Sequence, residues 1–127
     1  MARGALTVGA IIEIVLRGIP AIIGTPGIAL MFGLDYDIGF IPYVHAFGAV
    51  MITFGIMMLI AAKVPERHTL VINMAILRFA LGIVAQAWTF VQMGGVPHVF
   101  WIVQMIIDAI MVIWLLSARS KVMLKVA

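Results

Sequence analysis

An all-α bundle of four transmembrane helices is the fold this sequence predicts, and three observations predict it. Hydrophobic residues fill 65% of the 127 positions, against about 45–50% in soluble domains. Charged residues fill only 10%, too few to clothe a water-facing shell, which takes about 25%. The mean hydropathy is +1.26, and the apolar residues fall into four stretches of the roughly 20 residues a bilayer crossing needs. A single integral membrane domain over residues 1–127 follows, with no stretch polar enough for a separate soluble one. The absence of cysteine excludes disulfides, thiolate metal sites and thiol catalysis.

The first span is expected over residues 5–32. Arg3 ahead of an apolar run resembles a signal peptide, but Glu13 and Arg17 interrupt that run, so it reads as a retained span. Pro20 and the GTPG sequence at Gly24–Gly27 should kink or break its second half. Each proline lacks a backbone donor and clashes with the carbonyl four residues earlier. Gly9, Glu13, Arg17, Pro20, Gly24 and Gly27 recur at spacings of three and four, a stripe that should face other helices.

A turn carrying Asp35, Tyr36 and Asp37 leads to the second span, residues 43–62, with Gly48 and Gly55 one heptad apart. Lys63 to His68, KVPERH, ends it at Pro65. The third span, residues 69–91, carries Arg78, and the MGGVPH turn leads to a fourth over residues 99–117 with Gln104 and Asp108 one turn apart. Arg3, Lys63, Arg67, Arg119, Lys121 and Lys125 all lie at the N-terminus, the second connection or the C-terminal tail, and the other two connections hold no Lys or Arg. The positive-inside rule then makes both termini cytoplasmic in a multi-pass protein of the cell membrane. Tyr36, Tyr43, Trp88 and Trp101 fall toward the outer interface, as an aromatic belt requires.

Four charges interrupt the apolar spans. At 1.5 Å per residue, Arg78 and Asp108 each lie ~14 Å from their span ends, and Glu13 and Arg17 roughly 12 and 18 Å in, so all sit near the midplane. Their charges sum to zero, and Glu13 with Arg17 has the favourable i,i+4 order. Arg78 is left to pair with Asp108 or with Glu13, and Gln86 and Gln104 can add hydrogen bonds. Glu13, Arg17, Arg78, Gln104 and Asp108 thus form either a lock that fixes helix order or a polar site for a proton, an ion, a head group or a quinone carbonyl.

His45 and His98 begin spans near Asp35 and Asp37 and are the weak candidates for a metal site; their spacing matches no metal motif. The ten methionines read as lipid-facing and gap-filling residues. Gly94-Gly95 belongs to no nucleotide motif, and the net charge of +3 points to anionic lipid and not to nucleic acid.

The stretch KVPERHTLVINMAILRFALG, its glycine-containing preceding span, the Gly-Gly-x-Pro turn and an acidic residue in the last span together resemble the DoxX-like small bacterial membrane proteins. The resemblance covers roughly residues 43–116. It implies a four-helix protein of the bacterial inner membrane, associated in some members with redox enzymes that handle quinones, and it transfers no catalytic residue. The first span departs from it at the GTPG break.

Three functional classes follow. The first is a non-catalytic subunit or partner of a larger membrane complex, redox or respiratory in kind, with other subunits or copies of itself as neighbours in the bilayer. The second is a small transporter or proton or ion conductor using Glu13, Arg78 and Asp108. The third is a quinone- or lipid-linked enzyme, for which the sequence offers no nucleophile–base pair and no metal spacing. No cofactor is called for beyond a bound lipid or quinone.

Overall fold

A computed structural model describes residues 1–24, 41–92, 94–95 and 99–126. Four helices are long and apolar enough to cross a membrane, and the chain is a multi-pass membrane protein. We number them α1 (Ala2–Ile23), α2 (Ile41–Lys63), α3 (Thr69–Gln92) and α4 (Val99–Val126). Among the described residues there is no strand.

The first helix changes its hydrogen bonding along its length. Ala2–Ile11 is α-helical, Ile12–Gly18 is π-helical, and Ile19–Ile23 is α-helical again. The wider turn lies immediately before Pro20, where the Ile19 N–H donates to the Ile14 carbonyl, five residues back. A π-turn lets a helix absorb a residue that cannot complete the normal ladder, and such turns gather at functional sites. The helix ends at Gly24, whose φ of 53° supplies the left-handed cap and whose N–H donates to the Pro20 carbonyl at 3.0 Å. Thr25, Pro26, Gly27 and the rest of the expected first span and turn, including Asp35 and Asp37, lie outside the described residues.

Each helix buries a narrow stripe. On α4 the buried residues are Gln104, Asp108, Met111, Leu115, Ala118 and Val122, at alternating intervals of four and three. On α3 they are Ile72, Ala75, Phe79 and Gly82. That repeat is the pattern of a helix packed along one seam of a membrane bundle. The opposite faces, such as Ile106, Ile110 and Ile113, stay exposed for lipid.

The helix α2 stops at Lys63, and a single 3₁₀ turn, Pro65–Arg67, leads into α3. Arg3 donates from Nε to the Ala62 carbonyl and from Nη2 to the Lys63 carbonyl, each at 3.1 Å, so a side chain of α1 caps the end of α2. The helix α4 runs nine residues past its expected end at Ser117. Ser117 and Ser120 return their hydroxyls to the carbonyls of Ile113 and Leu116, and Lys and Arg are good helix formers whose heads reach water from an interfacial turn.

The bundle has two unlike halves. Around the start of α1, the end of α2, the start of α3 and the end of α4 it is a packed apolar core, with Leu6, Met58, Ile72, Phe79 and Leu115 fully buried. Met58 and Met111 fill the space beside Gly9, where a Cβ would stand 3.3 Å and 3.2 Å from them. The polar residues lie at the edge of this core, and the other half contains a cavity.

Candidate functional site: a midplane charge network under an apolar cavity

The site is built from the interruptions in the apolar stripes. Glu13 and Arg17 come from the π-helical segment of α1, Arg78 and Gln86 from α3, and Gln104 and Asp108 from α4. Glu13 and Asp108 are fully buried, Gln104 is 3% exposed and Arg17 6%.

Arg17 is the hub. Its guanidinium donates from Nη1 to Glu13 Oε1 at 2.7 Å, from Nη2 to Asp108 Oδ1 at 2.5 Å and from Nε to Gln104 Oε1 at 2.8 Å. A rigid fork of five donors is suited to two carboxylates and an amide at once. The second Asp108 oxygen accepts from Gln86 Nε2 at 3.1 Å. These bonds tie α1 to α4 and α4 to α3.

Arg78 holds a different position. Its Nε lies 3.4 Å from Glu13 Oε2, within ion-pair range, and its Nη2 donates to the Met51 sulfur at 3.2 Å. Its side chain keeps 21% of its surface exposed. Of the two partners open to Arg78 in the sequence, the nearer is thus Glu13, because Arg17 occupies Asp108. The Phe79 ring lies near both cations, its centroid 5.8 Å from the Arg17 guanidinium carbon and 5.9 Å from that of Arg78. Both distances are in the cation–π range, so the ring attracts each of the two like charges. Gly82 makes room: a Cβ there would stand 2.5 Å from Asp108 Oδ2 and 2.9 Å from Arg78 Nη1.

Two carboxylates and two guanidinium groups leave the network neutral, which is the condition for holding charges in a medium where an unpaired one is expensive. Four buried polar atoms have no hydrogen-bond partner among the described residues: Glu13 Oε2 and Arg78 Nε, which face each other, and Gln86 Oε1 and Trp101 Nε1.

The last two belong to residues lining a cavity of about 550 Å³. All four helices contribute to it, and its apolar walls include Tyr43, Phe47, Leu81 and Phe100. Arg17, Arg78, Gln86 and Gln104 bring the edge of the charge network to its floor. Sequence reasoning found the charges from their depth; it missed Gly82, Trp101 and the cavity. Gly82 had one signal, since it lies one turn after Arg78 in RFALG and is the smallest residue of that stretch.

The histidines stand apart from this site. His45 is exposed at the start of α2 beside Gly24, and His98 lies outside the described residues. Among the described residues no three His, Asp or Glu side chains are grouped so as to hold a metal ion. Comparison of the chain with protein-family models, with curated proteins and with solved structures found no match.

Proposed function

We propose that the chain is a non-catalytic membrane subunit that holds a lipid-soluble, uncharged ligand in the cavity above its charge network, as part of a larger membrane assembly. The observation that carries the reading is the juxtaposition of an aromatic-lined cavity of about 550 Å³ with a partly exposed Arg78. An apolar chamber with a few polar groups on one wall is the general form of a small-molecule site. The network is already neutral, so a neutral head fits it better than a charged one, which would bring an unbalanced charge into the membrane. Arg78 supplies donors, and Gln86 and Trp101 supply an acceptor and a donor after a small side-chain adjustment. A carbonyl-bearing head on an apolar body matches this set, whether a quinone ring or the ester of a glycerolipid.

The resemblance of residues 43–116 to the DoxX-like group supports a redox setting for the assembly, and the positive-inside distribution supports cytoplasmic termini. Ion conduction has less behind it, because Arg17 engages both buried carboxylates at once.

Gentle detergent extraction followed by native mass spectrometry tests the assembly. Other membrane proteins should co-purify in fixed ratio; recovery of the chain alone, as a monomer or symmetric oligomer, overturns the subunit reading. The ligand is tested separately. In a Trp88→Phe, Trp114→Phe background, Trp101 emission should be quenched saturably by a short-chain quinone or shifted by a diacylglycerol, and whichever acts identifies the source of the carbonyl. Ala85→Phe, which fills the cavity, should abolish the response. Arg78→Leu should weaken it by roughly tenfold or more, the worth of a hydrogen bond from a charged donor. A response unchanged in both variants rules the cavity out.

A further inference from the structure

A second cavity, of about 400 Å³, lies at the opposite end of the bundle, between the start of α1, the end of α2, the 3₁₀ turn and the end of α4. From this cavity we infer that the chain carries a specific site for an anionic phospholipid, one whose head group bears two phosphates. The site is independent of the midplane cavity and of the ligand proposed for it.

Its lining divides by chemistry. Arg3, Lys63, Lys121 and Lys125 bring four cations to it, and Glu66 is the one acidic residue among its lining residues. Ala2, Pro65, Ala118 and Val122, all buried, give it an apolar base. The cations are not equally occupied. Arg3 is committed to the carbonyls of Ala62 and Lys63. Lys125 approaches Glu66 at 3.8 Å with 73% of its side chain exposed, and such an exposed pair is weak and exchangeable. Lys63 and Lys121 are exposed, and neither side chain has a hydrogen bond or ion pair to any other described residue.

The depth of the site matches a head group. With 28 residues, α4 is about 42 Å long, against a hydrocarbon core of about 30 Å. Its last turns therefore stand at head-group level, where Lys121 and Lys125 meet Lys63 at the end of α2. A basic recess between helices at this level, with an apolar base that continues toward the acyl chains, is the arrangement that binds phosphate-bearing lipids. Three exchangeable or unoccupied lysines, Lys63 on one helix and Lys121 and Lys125 on another, favour two phosphates over one. Loose attraction to a charged surface needs no recess at all, and here the cations converge on one.

The test uses the full chain, delipidated in neutral detergent, with binding followed by native mass spectrometry. The probes are cardiolipin, phosphatidylglycerol, phosphatidylcholine and inorganic phosphate. Cardiolipin should bind at least about fivefold more tightly than phosphatidylglycerol, since each lysine engaged near a membrane surface is worth roughly that factor. The double variant Lys63→Gln, Lys121→Gln should lose about thirtyfold in cardiolipin affinity on the same scale. Arg67→Gln, an exposed cation of the same connection that does not line the recess, should change it by less than about twofold. The double variant should keep its lipid-free melting temperature, because both lysines are exposed and form no hydrogen bond through their side chains to the described residues. Equal binding of phosphatidylcholine overturns the site. So does an unchanged affinity in the double variant, and competition by millimolar inorganic phosphate would reduce it to a general anion site.

Discussion

Arg17→Leu should destabilise the bundle more than any other single charge removal. Among the described residues its guanidinium is the only group bonded to both Glu13 and Asp108, and both carboxylates are fully buried. Removing it leaves two buried acids with Arg78 as the remaining cation, 3.4 Å from one of them. Breaking a buried ion pair by deleting one partner costs roughly 3–5 kcal/mol, because the other charge stays behind uncompensated. Thermal or denaturant unfolding in detergent reads this directly. Arg78→Leu should cost less than half as much, since that side chain is partly exposed and makes one longer ion pair. Adding Asp108→Asn to Arg17→Leu should return most of the loss, because Glu13 then keeps Arg78 as its partner and no charge is left unpaired. An Arg17→Leu protein as stable as the parent would show that the network does not hold the bundle. The same measurement separates the two cations by role: Arg17 should appear mainly in stability, and Arg78 mainly in ligand binding.

The division between these arginines shows how far the sequence could be read. Four apolar segments give the four helices, because length and hydropathy are nearly sufficient conditions for a membrane span. Depth along each span puts Glu13, Arg17, Arg78 and Asp108 at one level, since 1.5 Å per residue is a fixed scale. Partner choice is a matter of azimuth and of side-chain reach, and depth says nothing about either. An i,i+4 rule assigns Arg17 to Glu13, as the structure has it. It does not disclose that the same guanidinium also spans to α4, because one planar fork can serve two acids. The π-helical segment is equally silent in the sequence. Pro20 marks a disturbance, but whether the helix breaks, kinks or widens depends on what packs against it. Here Gly48 of α2 lies against that turn. The cavity is legible least of all, because four helices line it together and no single helix encodes it.

The contact between α1 and α2 should be the second most sensitive point, and Gly48→Leu tests it. A Cβ at Gly48 would stand 2.7 Å from the Gly18 carbonyl oxygen and 2.8 Å from the Ile22 amide nitrogen, both backbone atoms that no rotamer can move aside. A Cβ at Gly18 would stand 2.6 Å from Ile52 Cγ1 and 2.8 Å from the Glu13 carbonyl oxygen. Close backbone approach through small residues is a main source of helix association where there is no hydrophobic drive between helices. Overpacking typically costs about 1–3 kcal/mol and occasionally more, and Gly48→Leu should reach the upper end because the whole α1–α2 interface must open. The displacement should spread. Gly18 follows Arg17 directly, so pushing α1 away from α2 also strains the Arg17 bonds to Asp108 and Gln104. Gly48→Ala should therefore lower stability less in an Arg17→Leu background than in the parent, since the bonds it strains are already gone. Gly18→Ala and Gly48→Ala should likewise cost less together than the sum of their separate losses, as they force open the same gap. Strict additivity of Gly48→Ala with Arg17→Leu would mean that the glycine crossing and the charge network are held independently. Sub-additivity would make them one mechanical unit, with the glycine contact setting the position from which Arg17 reaches across the bundle.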